Sequence, residues 1–154
     1  MFDLSDALEF SVIQIAEAAG RAILGHYGQK APLFEKDDAS PLTQADLDAH
    51  KVILRGLAAI EPIWPVVSEE SQDLDPCERM GWETYWLIDP LDGTKEFLRM
   101  NDEFTVNIAL IHQGDPILGV VHAPALGETC FGRKGVGARS KSVQRGDMPL
   151  GVDS

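Results

Sequence analysis

Two stretches in the first half of the chain have the hydrophobic spacing of amphipathic helices. In residues 4–24 the apolar side chains recur at steps of three and four, and Gly25 is a suitable end for a helix. This first stripe consists of Leu4, Leu8, Val12, Ile15, Ala19 and Ile23. A second helix is predicted to begin at Thr43 and to end before Pro62, because proline interrupts a helix. Its stripe consists of Ala49, Ile53, Leu57 and Ile60.

Short apolar runs further along the chain predict strands. The predicted strands are residues 66–67, 85–88, 104–111 and 117–121. The run at 85–88 is a continuous apolar tetrad, which is typical of a strand buried on both faces. The last two runs predict a hairpin with residues 112–116 as its loop. From Gly132 to Ser154 the sequence shows no periodic pattern that predicts a helix or a strand.

The order of these elements is two helices followed by several strands, with no second set of helices. A sheet needs a cover on each apolar face, and helices on one side leave the other face without one. The pattern therefore predicts an α+β arrangement, in which two helices pack on a sheet as the first half of a larger architecture.

The composition is that of a globular protein, and the net charge excludes some classes of partner. The chain has 154 residues, of which 44% are hydrophobic, and this suits one domain or part of a larger one. The formal net charge of −12 argues against a nucleic acid polymer as partner, because binding to such a polyanion depends on basic side chains. The same charge is compatible with a site that gathers divalent cations, and equally with solubility alone. No apolar run reaches membrane-spanning length and no signal-peptide pattern opens the chain, so a cytoplasmic location is predicted.

The most informative segment is WLIDPLDGTKEF, residues 86–97, in which an apolar run stops on an aspartate. Asp89 and Asp92 follow the predicted strand at 85–88, and Glu69 follows the brief strand before it. If these strands are neighbours in one sheet, the three carboxylates converge at one edge. Mg²⁺ prefers such oxygen ligands, and two ions about 3.5–4 Å apart can activate a water for phosphoryl transfer. The alternative is an ordinary polar turn, since Asp, Pro and Gly are common turn residues.

Several segments resemble the inositol monophosphatase superfamily of Mg²⁺-dependent phosphatases. The segment DPLDGTKEF resembles the family's signature, which is Asp, Pro, an aliphatic residue, Asp-Gly-Thr, two variable residues and Phe. The supporting segments are VVSEES, SPLTQADLDAH and EFTVNIALIHQGDPILGVVHAPALGE, and the resemblance runs from Leu4 to Gly137. Within the superfamily, Lys95 and Glu96 resemble the CysQ branch, the 3′(2′),5′-bisphosphate nucleotidases.

The resemblance implies a layered α-β-α, sugar-phosphatase-like fold, of which this chain supplies the N-terminal part. Residues 1–137 would form a metal-binding lobe of two helices on a largely antiparallel sheet. Residues 138–154 would be the start of an inter-lobe segment or a disordered tail. Family members continue into a second lobe with a further metal-binding aspartate in a Trp-Asp motif. The sequence contains no Trp-Asp pair, so we expect the second lobe to be missing.

Positions that match the family's motifs take the family's roles by resemblance. The metal ligands would be Glu69, Asp89, the Leu91 carbonyl and Asp92. The substrate would contact Glu69, Leu91, Asp92, Gly93 and Thr94. The catalytic pair would be Asp46 and Thr94, which orient and deprotonate the attacking water. For Asp46 an alternative stays open, because Thr43 and Asp46 have the spacing of a capping box at a helix start.

The implied function is that of a Mg²⁺-dependent phosphomonoesterase in sulfur assimilation. Its small-molecule substrate would be adenosine 3′,5′-bisphosphate, which loses its 3′-phosphate to give AMP, with a water activated by two metal ions as the nucleophile. Two alternatives stay open: an inositol monophosphatase, and an inactive metal-binding fragment that needs a partner chain, through self-association or completion by another protein. The resemblance also allows peripheral association with the inner membrane.

Overall fold

The computed structural model describes residues 4–27, 41–68, 82–142 and 146–149. Within them the chain forms three helices and one seven-stranded sheet. The helices are α1 (Asp6–Leu24), α2 (Pro41–Ala58) and α3 (Thr94–Arg99). The strands are β1 (Val66–Ser68), β2 (Thr84–Asp92), β3 (Thr105–His112), β4 (Asp115–Ala123), β5 (Glu128–Arg133), β6 (Gly137–Ser142) and β7 (Gly146–Pro149). The predicted ligand Glu69 lies outside the described residues.

The two long helices follow the apolar stripes, and the structure confirms both. The Ser5 side chain caps α1 by accepting a hydrogen bond of 3.0 Å from the Leu8 N–H. The second helix begins at Pro41, ahead of the predicted start at Thr43. Proline is favoured at the first helical position, because a backbone N–H there would have no partner within the helix and its absence therefore costs nothing. The stripe residues with no exposed surface are Val12, Ala19, Ile23, Ala49 and Ile53. No helix within the described residues is long and apolar enough to cross a membrane.

The strands lie in the sheet in the order in which they occur in the chain. β1 runs parallel to β2, and every later pair is antiparallel. The predicted hairpin between β3 and β4 is confirmed, with a tighter connection formed by Gln113 and Gly114 at φ values of 52° and 76°. Two successive positive φ angles are typical of a type I′ turn, whose twist suits antiparallel strands.

Both long helices pack on the same face of the sheet, and this contact forms the hydrophobic core. The buried sheet residues in this core are Trp86, Ile88, Val106, Ile108, Leu110, Leu118, Val120 and Phe131. Side chains alternate along a strand, so their neighbours form the opposite face, here called the open face. The open face carries Leu87, Asp89, Thr105, Asn107, Ala109, Gly119 and Val121. The long helices leave it uncovered, and the structure confirms the predicted α+β arrangement of helices on a largely antiparallel sheet.

Regular structure continues beyond Gly132, contrary to the sequence prediction. β6 pairs with β5 and with β7 in antiparallel register. In β6 only Ser140 is buried, so the strand lacks the apolar alternation by which a sequence identifies strands. Hydrogen bonds to neighbouring strands, rather than burial of apolar side chains, define this part of the sheet. The predicted division of the chain at residue 137 stays a prediction.

Candidate active site

The segment from Asp89 to Asp92 is the last part of β2 and not a separate turn. Asp89 is paired with Asn107 of β3 and Asp92 with Thr105, with a register shift between the two pairs. Three steps along β2 therefore match two steps along β3, which is the pattern of a β-bulge with one extra residue. The bulge follows the buried strand directly, so it is anchored by the core.

The bulge places both aspartates on the open face. In a regular strand, side chains three residues apart point to opposite faces of the sheet. With the extra residue, Asp89 and Asp92 instead lie opposite Asn107 and Thr105, which share a face. The two residues between the aspartates are buried, and the first of them is Pro90, which a bulge tolerates because one ladder hydrogen bond is missing there. Asp89 is half-buried and Asp92 is exposed.

A chain of hydrogen bonds on β3 ends at Asp92. The Thr105 hydroxyl donates to the Asn107 Oδ1 at 2.9 Å, and the Asn107 Nδ2 donates to the Asp92 Oδ2 at 3.2 Å. Asp89 and Asn107 also line a shallow cavity of about 160 Å³ in the open face. Thr105 and Asn107 were not among the predicted site residues. A signal was present, because these are the polar positions of a strand whose alternate residues are apolar.

Gly93 connects the bulge to α3, a short helix that the sequence pattern did not predict. Its φ of 92° and ψ of 54° lie in the left-handed region that favours glycine. A Cβ at this position would lie 3.2 Å from the Phe104 Cα and 3.0 Å from the Glu96 Oε2. Gly93 therefore rests directly against the backbone of Phe104. Thr94, the predicted catalytic hydroxyl, is the first residue of α3 and is exposed.

Three aromatic rings support this turn from the core side. The ring of Tyr27 lies 4.7 Å from that of Phe104 and 5.5 Å from that of Phe97, between centroids. Phe97 and Phe104 are themselves 5.4 Å apart with an edge-on geometry, which is favourable for aromatic pairs. Because Phe104 touches Gly93, the position of Gly93 depends on this cluster.

The Tyr27 hydroxyl holds the connection between α3 and β3. It donates to the Asp102 Oδ1 at 2.6 Å and accepts from the Asp102 N–H at 3.0 Å. Asp102 has a φ of 70°, an uncommon conformation for a residue other than glycine, and the two hydrogen bonds fix it. Burial, and then the hydrogen bond to Asp102, raise the pKa of Tyr27 above its ordinary value of 10.0.

Tyr27→Phe is expected to lower the free energy of unfolding by about 1–3 kcal/mol at neutral pH, because it removes two hydrogen bonds to Asp102 and retains the ring. The folded state holds the phenol protonated, so above pH 10 the unfolded chain loses this proton first and stability falls as the pH rises through the raised pKa. The variant should lack this contribution to the alkaline decline. Urea unfolding at neutral pH and above pH 10 measures both effects.

Tyr85→Phe, which removes the chain's other phenol, is the matched control for the tyrosine experiment. It shows what the removal of a phenol does at a position without a hydrogen bond to Asp102. An equal change in both variants would show that the bond to Asp102 has no special role.

Asp46 lies in the second turn of α2, because the helix begins at Pro41. A capping box would need Thr43 as the residue before the first turn, and Thr43 lies inside the helix, so the capping-box alternative does not apply to Asp46. The residue is half-buried, and its Oδ1 is shielded from solvent. α2 packs against β2 and contacts α3, which begins at Thr94. The structure therefore brings together the elements that carry the predicted catalytic pair, and the pairing of the side chains stays a prediction.

The described residues supply part of the predicted ligand set. Among them, no group of three or more His, Cys, Asp or Glu side chains could hold a metal ion on its own. β1 runs parallel to β2 and ends at Ser68, which is paired with Ile88, the residue before Asp89. Leu91 is 3% exposed, and its aliphatic side chain has no donor atom, so the backbone carbonyl is the group that it could offer to a cation. The oxygen-only character of Asp89, Asp92 and a carbonyl fits a hard divalent cation.

These features match a known family. The chain belongs to the inositol monophosphatase family, whose sequence profile matches residues 3–150. It is 54% identical over 120 residues to the 3′(2′),5′-bisphosphate nucleotidase CysQ of Salmonella typhimurium, and 52% identical over 120 residues to that of Escherichia coli. Each alignment covers 75% of this chain and 47% of the relative.

A solved structure gives the same assignment. The crystal structure of CysQ from Bacteroides thetaiotaomicron, a bacterial member of the inositol monophosphatase family, superposes with a TM-score of 0.79 at 42% identity. The match covers 95% of this chain and 53% of that one. The chain thus spans about half the length of the curated relatives that it matches.

Proposed function

We propose that this chain forms the metal-binding part of a 3′(2′),5′-bisphosphate nucleotidase. The enzyme hydrolyses the 3′-phosphate of adenosine 3′,5′-bisphosphate, releasing AMP and phosphate. The observation that carries this proposal is the bulge, because it puts Asp89 and Asp92 on one face immediately before Gly93 and Thr94. The identity to nucleotidases named CysQ supports the choice of substrate.

Mg²⁺ is the cation that best suits the proposed site. Asp89, Asp92, the Leu91 carbonyl and Glu69 would hold it, and all of these are oxygen donors, which Mg²⁺ prefers over nitrogen and sulfur. When bound, Mg²⁺ lowers the pKa of a coordinated water and neutralises the charge that develops on phosphate oxygens. The exposure of Asp92 leaves room for the water and phosphate oxygens that complete such a coordination shell.

Asp46 and Thr94 activate the attacking water in the proposed reaction. The water donates a hydrogen bond to the Thr94 Oγ1, and the Thr94 hydroxyl donates to the Asp46 carboxylate, which takes up the proton. The water oxygen forms a bond to phosphorus while the bond from phosphorus to O3′ breaks. The electron pair of that bond stays on O3′, which gains a proton from solvent. The backbone of Gly93 and Thr94 faces the phosphate oxygens and orients the ester.

A second candidate is a metal-binding unit that becomes active only when a partner chain covers the open face. The apolar positions of the open face favour it: Leu87 and Ala109 are half-buried and Val121 is 43% exposed, and an apolar surface of this kind promotes association. Light scattering separates this candidate from the first: activity that appears only in an oligomer supports it, and an active monomer excludes it.

The substrate is tested by a side-by-side assay. We expect the chain to release phosphate from adenosine 3′,5′-bisphosphate only in the presence of Mg²⁺, and to release less from inositol 1-phosphate. Faster release from the inositol ester would replace the nucleotidase by an inositol monophosphatase. No release from either ester at any Mg²⁺ concentration, by monomer or oligomer, would reject the proposed activity for this chain.

A further inference from the structure

We propose that Asn107 is a positioning residue that orients the Asp92 carboxylate for cation binding, with Thr105 fixing the orientation of Asn107 in turn. The inference rests on the proposed function of the site and adds two residues that neither the signature nor the predicted ligand set contains. It is carried by the hydrogen bonds Thr105–Asn107 and Asn107–Asp92 and by the register of β2 against β3.

The direction of this hydrogen-bond chain is set by chemistry. An ionised carboxylate only accepts hydrogen bonds, so Asp92 requires the amide to present its Nδ2. The Oδ1 of Asn107 then faces Thr105, and the Thr105 hydroxyl must be the donor. All donors therefore point toward Asp92, and reversing the amide would set its Oδ1 against the carboxylate and break the bond to Asp92. The carboxylate thus selects one orientation of the amide, and the Thr105 hydroxyl holds the amide there by donating to its Oδ1.

The sheet register puts this amide between the two carboxylates. Asn107 is the cross-strand neighbour of Asp89, and Thr105 is the cross-strand neighbour of Asp92. The amide of Asn107 thus reaches diagonally across the bulge from the first aspartate's position to the second. Diagonal neighbours on a sheet are within reach of side chains of this length.

The core fixes the strand that carries the amide. Val106 and Ile108, on either side of Asn107 in sequence, are 0% and 1% exposed, so β3 cannot shift without disturbing the core. The hydrogen bond engages the Asp92 Oδ2, which leaves the Oδ1 for a cation. Without the amide, Asp92 would rotate freely at the exposed end of β2, and two aspartates on one face would repel each other.

The contribution of Asn107 and Thr105 to cation binding is tested by measuring the Kd for Mg²⁺. Asn107→Leu keeps the side-chain volume and removes the amide, and Thr105→Val keeps the shape and removes the hydroxyl. Residues that orient metal ligands typically change affinity by about 10–100-fold, and we expect a rise in Kd of about tenfold for Asn107→Leu because the contact is exposed. Thr105→Val should raise the Kd by a smaller factor. Gln14→Leu, an amide replacement on α1, is the control and should leave the Kd unchanged.

A second measurement works without metal. Exchange of the side-chain amide protons, followed by NMR, should be slower for Asn107 than for Gln14, and Thr105→Val should accelerate it. Wild-type Mg²⁺ affinity in both Asn107→Leu and Thr105→Val would overturn the inference, as would unprotected Asn107 protons in the wild type. If the wild type binds no Mg²⁺, the proposed function fails for this chain, while the exchange rates still decide whether Asn107 is tied to Asp92. Unchanged unfolding temperatures exclude a purely structural effect.

Discussion

Asp89→Asn is expected to reduce Mg²⁺-dependent phosphate release by a hundredfold or more, with little loss of stability. Changes to residues that merely orient metal ligands already cost about 10–100-fold, and Asp89 is proposed as a ligand itself. The substitution removes one negative charge and keeps the size of the side chain. Asp89 is half-buried beside Asn107 in the cavity of the open face, so the amide fits the same space. The expected loss is therefore chemical and not structural.

Phosphate release and Mg²⁺ affinity are measured together for this variant, with urea unfolding as the check on folding. Asp115→Asn is the matched control, because Asp115 begins β4 at the far end of the β3–β4 hairpin and pairs with Lys134 at 2.6 Å. It makes the same change in charge away from the site. If both variants lose activity to the same degree, net charge rather than coordination explains the effect. Full activity in Asp89→Asn would remove Asp89 from the ligand set.

Gly93→Ala is expected to destabilise the fold by about 2–5 kcal/mol and to displace Thr94. A φ of 92° is strained for any residue with a Cβ, which contributes about 1–2 kcal/mol. The new methyl group would also lie 3.2 Å from the Phe104 Cα, and forcing an extra carbon into a packed site costs about 1–3 kcal/mol. Phe104 cannot retreat, because it is 0% exposed and packed against Tyr27 and Phe97.

Two other glycines separate the causes of this effect. Gly114 has a φ of 76°, and a methyl group added there would have no other atom within 4 Å, so Gly114→Ala reports the backbone strain alone. Gly119 has neither a positive φ nor a close neighbour, so Gly119→Ala should be nearly neutral. Urea unfolding of the three variants should therefore rank Gly93→Ala as the most destabilising and Gly119→Ala as the least. Equal losses at Gly93 and Gly114 would mean that the contact with Phe104 contributes nothing.

The elements that were predicted correctly are those that contain a long apolar stripe or an apolar run. The stripes containing Val12 and Ile53 identified α1 and α2, and the apolar runs identified β3 and β4. β6 was not predicted, because a mostly polar strand lacks an alternating apolar pattern. α3 was not predicted, because six residues are too few to show the period of a helix.

The geometry of the candidate site could not be predicted from the sequence. The family resemblance selected Asp46, Asp89 and Thr94, and those assignments stay predictions. The bulge depends on how β2 pairs with β3, and pairing between strands is not written in the local sequence of either one. The bond from Tyr27 to Asp102 joins residues 75 positions apart, a separation at which local patterns carry no information.

The bulge makes the number of residues between the two aspartates as important as their identity. In a flat strand, acids that share a face are separated by an odd number of residues, whereas Pro90 and Leu91 make an even number. A flat pairing of the same sequence would send Asp92 to the other side of the sheet, so the even spacing brings the two acids together only in combination with the bulge. The position of Asp92 therefore depends on the pairing of β2 with β3 as well as on the sequence of the segment. Pro90 suits this arrangement, because a bulge tolerates a residue that cannot donate a ladder hydrogen bond.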